Sequence, residues 1–356
     1  MPQRNLRHLI LENSRACYLS DCSDIAKKQR KKIAFYKSNE IKVRLLKARK
    51  NSCFCRRNEI SFIEKEERWT YMKYAAIMFD VVESRKYYER YDVQNVLMNC
   101  VDYLNDIYRY AIKKDVVSSA GDEFQGLFLD LQSAFLYIRK LQLLIYPIKL
   151  RCGIGYGEIK YDIDEWSSSA FDGEAYYLAR EAIVSIGGKK NNTICFNTNS
   201  KYDKYVNVLC SSNMRVKSMQ SQVARIIELI ADIMLPIVGR EEDRRFYEFI
   251  LESRCRLIEQ ERWNKVGGRY RNTEILNIDC ELLFEKIEGY TQKKDTECLF
   301  CMDEFWAHGM STEIARIMNT TRQNIDRYIA LGRIKESRTM DKAIFELLGE
   351  DIWYSI

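Results

Sequence analysis

Tyr74-Ala75-Ala76-Ile77-Met78-Phe79-Asp80-Val81-Val82-Glu83-Ser84-Arg85 is the stretch whose reading decides the fold. An uncharged, mostly apolar run ends on a carboxylate, and a polar, charged segment follows at once. This is the pattern of a buried strand that delivers Asp80 to its carboxyl edge. Downstream, Val116-Val117-Ser118-Ser119-Ala120 and Phe124-Gln125-Gly126-Leu127-Phe128-Leu129 flank Gly121-Asp122-Glu123. The pair reads as a hairpin with Gly121-Asp122 in the tight turn, where glycine permits the backbone geometry. Between the two strings, Val93, Val96, Leu97, Val101, Leu104, Ile107, Tyr108 and Ala111 recur at helical spacing over Tyr91 to Lys113. Ala134, Phe135, Ile138, Leu141 and Leu144 mark a second helix, stopped near Pro147. A strand from Ile148 to Ile159 completes the order strand, helix, strand, strand, helix, strand. That order predicts an α+β fold with a ferredoxin-like, palm-shaped unit.

Two carboxylates brought to adjacent strand ends repel each other unless a cation lies between them. A hard divalent ion, held jointly by carboxylates and substrate phosphates, satisfies both. Asp80 and Asp122 are therefore the expected ligands of Mg²⁺ or Mn²⁺. Gly121 and Glu123, which flank Asp122, are read with it as nucleotide-contacting residues. Gly153, Gly155 and Gly157 alternate along one strand, so their bare faces point the same way. Something approaches that face closely: a nucleotide base or ribose, which would make Gly153 and Gly155 binding residues, or a helix packed onto the strand.

Four strings in order carry a resemblance: Asp80 through Arg85, Gly121 through Gly126, Arg151-Cys152-Gly153-Ile154-Gly155-Tyr156-Gly157, and Asp172-Gly173-Glu174-Ala175-Tyr176-Tyr177-Leu178-Ala179-Arg180-Glu181. From about Met72 to Cys195 the chain resembles the SatD family, whose sequences carry matching strings. That family is similar in turn to class III and GGDEF-type nucleotidyl cyclases, palm-like folds with two metal-binding carboxylates at the positions of Asp80 and Asp122. In the class III enzymes a later helix carries an Asn that orients ribose and, four residues on, an Arg that stabilises the transition state. The resemblance puts Arg180 in the catalytic place and Tyr176 in the ribose-binding one. A Tyr cannot reproduce the paired donor and acceptor of an amide, whereas the planar fork of Arg180 suits phosphate oxygens.

The chain has 356 residues, 46% hydrophobic and 12% aromatic, enough for one substantial core and a smaller one. No apolar stretch reaches the roughly 18 residues a membrane span needs, and a secretory signal's apolar core is absent. A cytoplasmic protein without membrane partners is expected. Its 12 cysteines are scattered, and Cys152, Cys195 and Cys210 lie within apolar runs as small hydrophobes. Cys298-x-x-Cys301 with His308 falls one ligand short of a closed zinc site. The net charge of +6 is unevenly placed: residues 1–71 hold 18 Lys+Arg against 8 Asp+Glu, out of totals of 57 and 51. That segment, with Lys27-Lys28-Gln29-Arg30-Lys31-Lys32, reads as a disordered basic arm or as a translated leader ahead of a start at Met72. The palm is expected over 72–210 and a helical region over 211–356.

In that last region Gln222 to Val238 carries a dense apolar face, and Arg244 to Trp263 gives an amphipathic stretch. Ser311 is placed to cap a helix containing Ile314, Ala315 and Met318. Asn319 supplies a residue tolerant of the left-handed conformation, and Thr320-Thr321-Arg322-Gln323 opens a helix with Ile325 and Ile329 inward. This is helix-turn-helix spacing over 310–332. Thr321, Arg322, Gln323 and Arg327 would face outward, toward phosphates and base edges of DNA. The expectation is nucleotide sensing or processing coupled to DNA binding. The alternatives are an active nucleotidyl cyclase or nucleotidyltransferase, and a DNA-binding regulator whose palm only joins two copies into a homodimer.

Overall fold

The computed structural model describes residues 73–84, 90–120, 122–159, 173–188, 193–235, 244–263, 278–291, 306–350 and 353. The basic segment 1–71 and the Cys298/Cys301 pair lie outside them. Five strands form one mixed sheet: β1 (Lys73–Val81), β2 (Ile112–Ala120), β3 (Glu123–Phe128), β4 (Leu150–Glu158) and β5 (Thr193–Asn197), in spatial order β2-β3-β1-β4-β5. β1 is central and antiparallel to both β3 and β4, β2 is antiparallel to β3, and β5 is parallel to β4.

β1 alternates strictly between two buried faces, which is why its sequence reads as an almost continuous apolar run. Ala75, Ile77, Phe79 and Val81 enter the larger core. There they meet α1 (Arg90–Ile107) and α2 (Leu131–Leu144), the helices between β1 and β2 and between β3 and β4. Tyr74, Ala76 and Met78 point the other way, into a smaller cluster with Ala175, Tyr176 and Ala179. Those three belong to α3 (Glu174–Ile186), the crossover from β4 to β5. α2 begins on a formed cap, with the Asp130 carboxylate accepting from the Ser133 amide at 2.7 Å.

α1 ends at Ile107, earlier than its apolar spacing suggests, and β2 begins at Ile112 rather than near Val116. Tyr108 to Ala111 form the turn between them, with Ala111 N–H donating to the Tyr108 carbonyl at 2.8 Å. The Asn105 side chain secures this turn by accepting from the Val116 amide and donating to the Val116 carbonyl.

The remaining helices are α4 (Asp203–Met219), α5 (Gln222–Met234), α6 (Arg244–Trp263), α7 (Cys280–Thr291), α8 (Met310–Ile317), α9 (Arg322–Leu331) and α10 (Ile334–Leu348). α5 is buried on every side, polar positions included, because α2, α7, α8 and α9 all pack around it. One continuous core therefore runs from β1 through α2 and α5 to Trp353. Among the described residues no helix is long and apolar enough to cross a membrane.

Candidate functional site

Register brings the site together. At the carboxyl end of β1, Asp80 stands opposite Glu123 on β3 and Arg151 on β4. The Arg151 guanidinium grips the Asp80 carboxylate at two points, Nε to Oδ1 at 2.9 Å and Nη2 to Oδ2 at 2.5 Å. Its remaining terminal nitrogen donates to the Gly187 carbonyl, at the end of α3, at 2.7 Å. The carboxyl end of a helix carries partial negative charge, so this is a favourable seat for a cation. The hydrogen bonds to Asp80 raise the Arg151 pKa above its ordinary value, and the charges of Asp80 and Asp122 add to the effect. Asp122, exposed at the β2–β3 turn, thus acts on the same guanidinium. Next to it Glu123 accepts from Arg180 of α3 at 3.3 Å.

Four of the residues anticipated from sequence, Asp80, Asp122, Glu123 and Arg180, are accordingly gathered at one sheet edge. Arg151, the partner of Asp80, was visible only as the first residue of the glycine-rich strand. Gly121 lies outside the described residues. Gly153 and Gly155 point toward α3: a Cβ on Gly153 would lie 2.1 Å from the Ala179 carbonyl oxygen, and one on Gly155 2.2 Å from that of Ala175. Of the two occupants left open for that face, the helix fills it. Tyr176 is buried in the smaller core, packed toward β1, so its ring contributes to the helix–sheet contact.

Among the described residues no three His, Cys, Asp or Glu side chains are grouped to hold a bare metal. A Mg²⁺ or Mn²⁺ ion bound through one or two carboxylates takes the rest of its shell from substrate phosphates and water. Asp80 and Asp122 would hold such an ion, and it would supply charge neutralisation for the phosphates.

The second region of interest is α8–α9. α8 starts at Met310 on Gly309, whose φ of 86° takes the capping position; Ser311, expected as the cap, is instead the second helical residue and is buried. Asn319 has φ 47°, and Thr320 N–H reaches the Ala315 carbonyl at 2.9 Å, closing the helix end in the manner of a Schellman turn. Thr321 then caps α9, accepting from the Asn324 amide at 3.3 Å. Ile325 and Ile329 face the core, while Thr321, Arg322, Gln323 and Arg327 are exposed. Arg322 pairs with Asp326 at 3.4 Å, and Arg327 lies over the Tyr328 ring.

Helices α2, α4, α5 and α10 are joined by charges out of reach of solvent. Arg139 of α2 donates to Asp232 of α5 at 2.8 Å and to Asp341 of α10 at 2.6 Å. Lys140 and Arg338 complete Asp232, at 2.7 and 3.2 Å. Lys217 and Asn213 of α4 complete Asp341, at 2.9 and 2.6 Å. Burial by itself pushes both carboxyls up, but the surrounding cations reverse this and leave each below the usual carboxylate range.

No curated protein matches the chain. Residues 74–241, which run from β1 to just beyond α5, match the SatD family.

Proposed function

We propose that the edge built by Asp80, Asp122, Glu123, Arg151 and Arg180 binds the polyphosphate of a nucleotide together with Mg²⁺ or Mn²⁺. The observation that carries this reading is the register that sets Asp80 beside Glu123 and Arg151 at the end of the central strand. Two carboxylates for a metal and two guanidiniums for phosphate oxygens are then within one small area. The strand order supports a ferredoxin-like palm, in which a nucleotide lies across the carboxyl end of β1. Tyr176, buried under α3, leaves no side chain of amide type to orient ribose four residues before Arg180. This favours sensing or slow processing over ordinary cyclase turnover.

The α8–α9 pair is the proposed output, a helix-turn-helix that presents α9 to DNA. Its support is the left-handed Asn319 turn and the exposed set on α9. The buried charges between α2 and α10 give a physical route for coupling, since α2 flanks β1 and β3 while α10 follows α9 directly.

The test is thermal unfolding with Mn²⁺ and each of the four nucleoside triphosphates. A ligand at a hundredfold excess over its Kd stabilises the folded state by about 2.7 kcal/mol, which is about 4 °C for a chain of 356 residues. One triphosphate or more should raise Tm by that order, and Asp80→Asn and Asp122→Asn should each remove the metal-dependent part. No shift with any triphosphate would end the nucleotide reading.

A further inference from the structure

The residue that occupies Asp80 is itself a cation. Both carboxylate oxygens are engaged by Arg151, and the guanidinium is anchored a third time on the end of α3. The pair is partly sheltered, with side-chain exposures of 23% for Asp80 and 27% for Arg151, so water screens it incompletely. A divalent ion approaching Asp80 alone meets a fixed positive charge at the oxygens it needs. A polyphosphate approaching alone meets Asp80, Asp122 and Glu123, three carboxylates against the two guanidiniums of Arg151 and Arg180 that are already paired with two of them. Each ligand removes the obstacle to the other. Phosphate oxygens offer Arg151 an equivalent two-point partner, and a guanidinium turned to phosphate leaves Asp80 open.

Resting on the nucleotide reading above, we infer that Arg151 is an internal competitor of the metal. It holds Asp80 closed most of the time until a polyphosphate draws it away, so that metal and nucleotide each bind more tightly in the presence of the other. Arg180 and Glu123, more exposed and in contact at 3.3 Å, make a second and looser pair of the same kind. The sheet supplies the pivot: Arg151 sits at the start of β4, and its backbone is fixed by pairing with β1. Only the side chain has to move.

The experiment compares the full-length parent with Arg151→Gln and Arg151→Lys by calorimetric titration, using Mn²⁺ alone and then Mn²⁺ with the triphosphate that gives the largest thermal shift. If Arg151 leaves Asp80 open for a tenth of the time, removing it strengthens binding of Mn²⁺ alone about tenfold. Arg151→Gln should show that gain and, at the same time, lose at least about tenfold in triphosphate affinity, because the phosphate partner is gone. Arg151→Lys should fall between parent and Gln on both counts, a point charge lacking the two-point grip. A gain in Mn²⁺ affinity paired with a loss in triphosphate affinity supports the competitor role. Mn²⁺ affinity within twofold of the parent in both variants overturns it. Should the variants not fold, the Arg151 Nε–H resonance of the parent decides the matter: it should move on adding Mg²⁺ with triphosphate and stay with Mg²⁺ alone, and movement with Mg²⁺ alone overturns the inference. If no triphosphate binds the parent, the nucleotide reading fails, while the Mn²⁺-only titration still tests Arg151.

Discussion

Gly155 shows how little space separates β4 from α3. A Cβ there would lie 2.2 Å from the Ala175 carbonyl oxygen and 2.4 Å from the Ala179 amide nitrogen, both backbone atoms that cannot turn aside. Gly155→Val should therefore push α3 off the sheet and cost about 1–3 kcal/mol, the range for overpacking a tight interior. Chemical denaturation read by circular dichroism checks this. Because α3 also carries Arg180 and ends at the carbonyl that anchors Arg151, triphosphate binding should weaken alongside stability. The buried thiols near this layer are inert by contrast: burial pushes Cys152 and Cys210 well above the ordinary thiol pKa.

At the scale of elements, α9 is the one to question. If it enters a major groove, Arg322→Ala and Gln323→Ala should each cost about 1–3 kcal/mol at a selected site, while Arg327→Ala at a phosphate weakens all sequences alike. Selection from a random DNA pool followed by titration at two salt concentrations measures both, and binding should fall steeply with salt. An unenriched pool, with parent and the Arg322/Arg327 double alanine variant binding equally, would assign α9 to a different role. How much of these elements was legible in sequence follows from locality. Asp80 at a strand end, the Asn319 turn and the starts of α5 and α6 depend on neighbouring residues and could be read directly. The end of α1 could not, because Tyr108 and Ala111 continue a helical spacing into a turn that is closed by Asn105 bonding to the Val116 backbone eleven residues on. The pairing of Asp80 with Arg151 was equally hidden, since 71 positions separate them and only strand register joins them. Arg139 and Lys140 would pass for the solvated face of α2; their burial depends on Asp232 and Asp341, which arrive much later in the chain.

For the whole molecule, the buried charges couple stability to pH. Asp232 and Asp341 have folded-state pKa values below the roughly 3.9 of an unfolded Asp. Their contribution is present above about pH 4 and is lost as pH falls further, when the folded state must take up protons it resists. Asp203 works in the opposite direction, because burial raises its carboxyl and the hydrogen bonds from Thr198 only partly offset that. Its effect opposes the acid loss. Replacing one buried partner should be severe: Asp232→Asn takes the carboxylate from Lys140 and Arg338 and leaves Arg139 with Asp341 as its remaining ion pair, at about 3–5 kcal/mol. Urea titrations of parent and Asp232→Asn between pH 3 and pH 7 should show a large gap near neutrality that narrows in acid.

The same cluster bears on how such a chain could change over evolutionary time. Residues 74–241 contain Arg139, Lys140, Lys217 and Asp232, but Arg338 and Asp341 come from beyond them. A recombination event that swapped the tail would have to import, at the same height against α2, a carboxylate for Arg139 and Lys217, and would remove the third cation of Asp232 unless it also carried a match for Arg338. The sheet-bearing half thus holds a lock whose key is carried by the tail, and a chimaera whose tail lacks this buried match should be less stable than the parent.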